Sequence, residues 1–195
     1  MKRLYSFLLV LFLSVGFLCA SAFSVGYGFF YAGDENQKIT KKENFDTYWL
    51  SFDFSAENTV ISASGSLGIY YEEGQLEGVI IPLTVGVGIP MTEDFYFTVG
   101  LGIYGSSEII DRGVGYYSYS MREYAVYLVR GGICGSIFAN FEIGPLFLKA
   151  GCIGGNCTSA NRQLSYEGSS SDIKTTISPD GFYFVQPQIA IGLDF

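Results

Sequence analysis

From Val79 to Ile103 every second residue is bulky and apolar, and no other feature restricts the fold of this chain as tightly. Val79, Ile81, Leu83, Val85, Val87 and Ile89 alternate with Ile80, Pro82, Thr84, Gly86 and Gly88. After a short break, Phe95, Phe97, Val99, Leu101 and Ile103 alternate with Tyr96, Thr98, Gly100, Gly102 and Tyr104. A period of two places the bulky set on one face of a strand and the Gly/Thr set on the other. These segments therefore make a sheet with one apolar face. A soluble sandwich would turn that face inward, whereas a transmembrane barrel would turn it toward lipid.

The N-terminus bears on which solvent the sheet meets. Met1, Lys2 and Arg3 precede an apolar run from Leu4 to Leu18, and Ala20, Ser21 and Ala22 follow. A basic start, an apolar middle and a small-residue exit make a secretory leader. Cleavage is expected after Ala22, giving a signal peptide over 1–22 and one barrel domain over 23–195. The run is shorter than the ~20 residues of a membrane-spanning helix. Acylation of Cys19 would need a small residue where Leu18 stands. Of the 11 basic residues, Lys2 and Arg3 leave with the leader, while all 19 acidic residues stay. So acidic a chain is not built to bind nucleic acid. Its 25 Gly, 15 Tyr and 17 Phe suit an all-β protein with aromatic anchors.

Carried along the mature chain, the same period gives eight strands: 23–32, 47–55, 59–71, 78–89, 95–105, 122–137, 146–155 and 181–195. Long connections at 33–46, 72–77, 106–121 and 156–180 alternate with short ones at 56–58, 90–94 and 138–145. Outer-membrane barrels have this asymmetry, with short periplasmic turns, longer extracellular loops and an even strand count. Lys38, Lys41, Lys42, Arg112, Arg122, Arg162 and Lys174 lie in or beside the long connections. Only Arg130 and Lys149 fall within strands, and both are on the face opposite the apolar set. A charge facing the bilayer midplane would cost about 2–4 kcal/mol, so this segregation marks a membrane barrel. The exterior of a soluble barrel would carry many more Lys and Glu.

The last strand ends on Phe195, with Leu193, Ile191 and Ile189 at every second position behind it. This resembles the C-terminal insertion signal that the outer-membrane assembly machinery reads. With Ile81, Pro82 and Leu83 followed by Gly86 and Gly88, the chain resembles the small Gly-rich barrels related to OmpA, OmpX and OmpW. The resemblance implies an eight-stranded antiparallel up-and-down β-barrel, monomeric, in contact with outer-membrane lipids. It rests on no catalytic or ligand motif. Enzymes among such barrels rely on histidine, and this chain has none. The usual general base near neutral pH is therefore missing, and no paired-acid or metal-ligand spacing stands out. No enzymatic activity, cofactor or metal is expected.

Inward parity collects Asp53, Arg130, Lys149 and Asp194 in the lumen as one balanced charge cluster. Strand direction puts Asp53 and Asp194 toward the periplasmic end, with Arg130 and Lys149 near mid-height or below. Such a cluster is a structural ion-pair network or a gate, and an interior just wide enough for side chains favours the former. Phe30, Trp49, Tyr70, Tyr104, Tyr124 and Phe184 share inward parity at the extracellular strand ends, forming an aromatic lid over Gly and Ser. The lid closes the barrel or accepts a small apolar ligand. Cys152 and Cys157 could close a small loop if Gly154 and Gly155 form a bulge. The long connections, with Tyr116, Tyr117 and Tyr119 among Gly and Ser, suit recognition of an extracellular ligand or simply screen the surface. The expectation is a structural or surface-interaction barrel of the outer membrane, with a narrow pore or small hydrophobic-solute channel as the alternative.

Overall fold

A computed structural model describes residues 21–34, 44–55, 60–72, 75–117, 120–167, 173–178 and 182–194. Residues 1–20 of the leader expected over 1–22, and the terminal Phe195, lie outside the described residues, while Ala22 opens β1. The described residues form nine strands: β1 (Ala22–Asp34), β2 (Asn44–Ser55), β3 (Ile61–Glu72), β4 (Gln75–Pro90), β5 (Phe95–Tyr117), β6 (Ser120–Ile143), β7 (Leu146–Tyr166), β8 (Ile173–Ile177) and β9 (Phe182–Asp194). Each of β1 to β7 pairs antiparallel with the next, β7 pairs with β9, and β9 pairs with β1. The result is a closed ring of eight strands. The ninth strand, β8, continues the line of β9 higher on β7, pairing Ala160 to Leu164 where β9 has already left at Asn156.

The register fixes the shape. A line of paired residues leaves β1 at Ala22, passes Asp53, Ser64, Thr84, Gly102, Cys134, Gly155 and Phe184, and returns to β1 at Ala32, a stagger of ten residues. Closure with such a stagger requires strands tilted by roughly 35–45°, and eight strands leave an interior that side chains just fill. Odd residues of β4, β5 and β9 face outward, with Val85 60% and Leu101 76% exposed. Their even neighbours face in, and Ile80, Thr84, Tyr104, Phe184 and Gln186 are buried.

Three strands are far longer than the alternation indicated. β5, β6 and β7 hold 23, 24 and 21 residues, about twice the ~9–11 a tilted strand needs to cross a bilayer. Most of 106–121 and much of 156–180, expected as loops, are therefore paired strand, and 138–143 belongs to β6. The physical reason is a loss of phase. The register shifts between Ile109 and Asp111 in β5 and between Gly131 and Gly132 opposite β7. A β-bulge inserts one residue and swaps the faces beyond it, so a single period-two pattern cannot be followed past it. At the end of the barrel where β1 begins, β6 turns into β7 through Gly144 and Pro145. Gly144 has φ 61°, as a two-residue hairpin with Gly at its first central position requires.

Candidate functional site

The lumen is filled from bottom to top. Near the rim where β1 begins, Lys149 donates to both carboxylate oxygens of Asp53 at 3.1 Å, with its Nζ 4.5 Å from the centre of the Phe138 ring. Asn140 donates to Thr98 Oγ1 at 3.0 Å and Ser66 Oγ to Ser51 Oγ at 2.9 Å. Above them Trp49, Tyr70, Ile80, Tyr104, Cys134, Phe138, Ile153 and Phe184 form one buried cluster. In it the Tyr104 and Phe184 rings meet edge to face at 4.6 Å. The Trp49 indole lies where a side chain at Gly68 would project. Higher still, Arg130 Nη2 donates to Glu108 Oε2 at 2.5 Å, with side chains only 3% and 4% exposed. The Arg130 guanidinium also sits 5.7 Å from the Phe182 ring centre. Leu128, Ala160 and Phe182, packed by Ile110, Cys157 and Ile177, cap this pair.

The expected charge cluster is thus two separate ion pairs at different heights. Lys149 meets Asp53, and Arg130 meets Glu108, a residue that alternation alone places in a loop because the pattern breaks at the bulge. Asp194 stands exposed at the end of β9, its N–H donating to the Pro145 carbonyl at 2.9 Å. Of the expected lid, Trp49, Tyr70, Tyr104 and Phe184 come together, while the side chain of Phe30 lies outside the described residues. Tyr124 is elsewhere: three inward positions above Arg130 on β6, it packs on Tyr166 with ring centres 6.0 Å apart. The lumen glycines are also not spare room. A methyl at Gly102 would run into the Leu83 carbonyl oxygen, and one at Gly132 into that of Asn156. Glycine there lets neighbouring backbones close up around a narrow barrel.

The thiols correct another expectation. Cys134, Cys152 and Cys157 are free. Cys152 follows the outward parity of Leu146 and Leu148, whereas Cys157 lies on the inner side against the upper cluster. Side chains on opposite faces of one strand cannot meet in a disulfide. Among the described residues no group of three His, Cys, Asp or Glu side chains could hold a metal ion.

Beyond the lumen, β5, β6, β7 and β8 rise as a free-standing sheet. Its inner face carries Tyr117 stacked on Tyr166 at 4.9 Å and 27°, with the Arg122 guanidinium 5.5 Å from the Tyr117 ring centre. Tyr124 lies along Gly113 and Gly115, where a side chain would strike its ring at Gly113, and donates to Asp111 Oδ2 at 3.3 Å. The nearby Asp111 carboxylate holds the Tyr124 phenol above its ordinary pKa, so it stays neutral and donating. The outer face ends in Val114, Tyr116 and Met121, with Tyr116 77% exposed.

The ring is apolar outside and filled with buried side chains inside. No protein-family model matches the sequence, and no curated protein does. Solved structures do match in shape. The N-terminal β-barrel domain of Pseudomonas aeruginosa OprF superposes with a TM-score of 0.50 at 12% identity, over 90% of this chain and 98% of that one. The fold is that of the small outer-membrane β-barrels. A major outer membrane protein of Thermus thermophilus gives a TM-score of 0.54 at 11% identity, covering 89% and 99%. Neisserial surface protein A gives 0.53 at 9% identity, also over 89% and 99%. Ile189, Ile191 and Leu193 of the expected insertion signal are exposed on the outward row of β9. Sequence reasoning missed Glu108 and the rise of β5 to β7. The signal that could have found them is Tyr and Gly continuing at alternate positions beyond the bulge, in Gly113, Gly115 and Tyr117.

Proposed function

We propose that the chain resides in the cell outer membrane as a non-catalytic barrel that acts through its extracellular surface, with the raised β5–β8 sheet as the presenting element. The observation that carries this reading is the division of labour along the axis. The lumen is closed by two ion pairs and two apolar clusters, while the raised sheet displays Tyr116, Val114 and Met121 to solvent. A sequence without histidine supports a role other than catalysis. Insertion would use the assembly machinery through the rows that end in Phe195. The raised Tyr, Gly and Ser surface suits an extracellular ligand.

A second reading, a narrow conduit, has one observation behind it. Both amide atoms of Gln186, the Oε1 of Gln188 and the Nε1 of Trp49 are buried without a hydrogen-bond partner in the protein, and polar groups of that kind suit a wet interior. Planar-bilayer conductance of the refolded protein separates the two. A silent membrane is expected for the surface protein, and a stable open level would establish the conduit.

A further inference from the structure

The outward apolar face is not of equal height around the barrel. It ends at Val79 on β4, beyond which stands Glu77, and at Gly154 on β7, beyond which stands Asn156. On β1, β3 and β9 it ends in the aromatic residues Tyr31, Tyr71 and Tyr183, a girdle of the kind found at a membrane interface. On β5 and β6 it does not stop at that level. Above Ile103 the outward positions of β5 are Gly105, Ser107 and Ile109. Above Ile133 those of β6 are Gly131, Val129, Tyr127 and Ala125. The first charges on this face are Arg112 and Glu123, which fall in neighbouring rows. Between Ile133 and Ala125 the strand climbs roughly 20 Å along the barrel axis, given ~3.3 Å per residue and the tilt of such a barrel. This uncharged wall is half-exposed or exposed, and no strand covers it among the described residues.

We propose that the occupant of this wall is the outer leaflet itself: the β5–β6 side sits deeper in lipid than the rest, up to the row of Ile109 and Tyr127, and the bilayer ends at the rows that hold Arg112 and Glu123. The argument is continuity. The rows from Phe97 to Ile109 and from Ile143 to Ala125 form one uninterrupted face whose lower half is already the lipid-facing belt. A wall longer than the local hydrocarbon is accommodated by a leaning barrel or a locally thickened leaflet, each at modest cost. On its β4 side the wall is bordered by Arg112, whose guanidinium reaches across to donate to the Leu76 carbonyl at 2.7 Å and lies 3.5 Å from Glu77.

The inference rests on the outer-membrane reading, and the experiment keeps the two apart. Single tryptophans are placed at Tyr127, Val129, Leu101 and Thr175, and each protein is refolded into phosphatidylcholine vesicles with brominated acyl chains. The native Trp49 is 3% exposed inside the lumen and contributes a constant background. Leu101→Trp reports the belt, and Thr175→Trp on exposed β8 reports water. The expected result is that Tyr127→Trp and Val129→Trp lose as large a fraction of emission as Leu101→Trp, with Thr175→Trp unchanged. Quenching at Leu101 but not at Tyr127 and Val129 overturns the inference, and concentration-dependent cross-linking through Tyr127 would then identify a second copy as the occupant. No quenching at Leu101 would instead sink the membrane reading itself. If Tyr127→Trp fails to insert, Ile109→Trp, at its register partner on β5, decides by the same comparison.

Discussion

At Gly86 an added methyl would strike the Val99 carbonyl oxygen on the neighbouring strand, whereas at its register partner Gly100 the nearest atom is the Ser136 hydroxyl, 2.8 Å away. A hydroxyl can rotate and a backbone carbonyl cannot. Gly86→Ala should therefore cost about 1–3 kcal/mol as an overpacked site, and Gly100→Ala clearly less. Urea titration of folding in lipid vesicles measures both, and equal losses would contradict the close-approach account. A parallel contrast holds for the ion pairs. Glu108→Gln strands the buried Arg130 guanidinium and should cost about 3–5 kcal/mol. Asp53→Asn should cost less by the same titration, because Asp53 is 24% exposed and Lys149 keeps its contact with the Phe138 ring. At this scale the sequence made Arg130 and Lys149 legible as inward charges, since parity alone places them. The partner of Arg130 was not legible, because Glu108 lies just before the bulge, in residues that composition marks as a loop.

Among the elements, the eight ring strands were legible from alternation, and the ninth and the raised sheet were not. On the outer-membrane reading proposed above, the apolar period that marks a strand comes from lipid on one side, so it fades where strands leave the membrane. There β5, β6 and β7 are held by their ladders and by aromatic pairs such as Tyr117 on Tyr166. The raised hairpin should accordingly be separable from the barrel. Deleting residues 112–122 and rejoining the strands with a short turn removes Tyr117 and Arg122 but leaves both ion pairs and both lumen clusters. The shortened protein should still refold into lipid, keeping the heat-dependent gel mobility shift of a folded barrel. Failure to refold would show that the raised sheet is part of the folding unit rather than an extension of it. The Cys152 and Cys157 pairing illustrates the opposite error. The bridge required a bulge at Gly154 and Gly155, but β7 keeps its register through both, so the odd separation leaves the two thiols on opposite faces.

For the whole molecule, everything follows from one assignment: the outward face of the ring meets lipid, and the raised sheet above Arg112 meets water. Val85 and Val114 test it in matched form. They are the same residue type, both on outward rows, and 60% and 59% exposed. They differ only in the solvent assigned to them. Arg at Val85 should destabilise the barrel by about 2–4 kcal/mol, the cost of a guanidinium near the bilayer midplane, while Arg at Val114 should change stability by no more than about 0.5 kcal/mol. The measurement is the free energy of folding of both variants by reversible denaturant titration in the same lipid vesicles. A large loss at Val85 with little change at Val114 is the predicted result. Equal losses, or none at Val85, would mean that the apolar face of this sheet does not meet a bilayer.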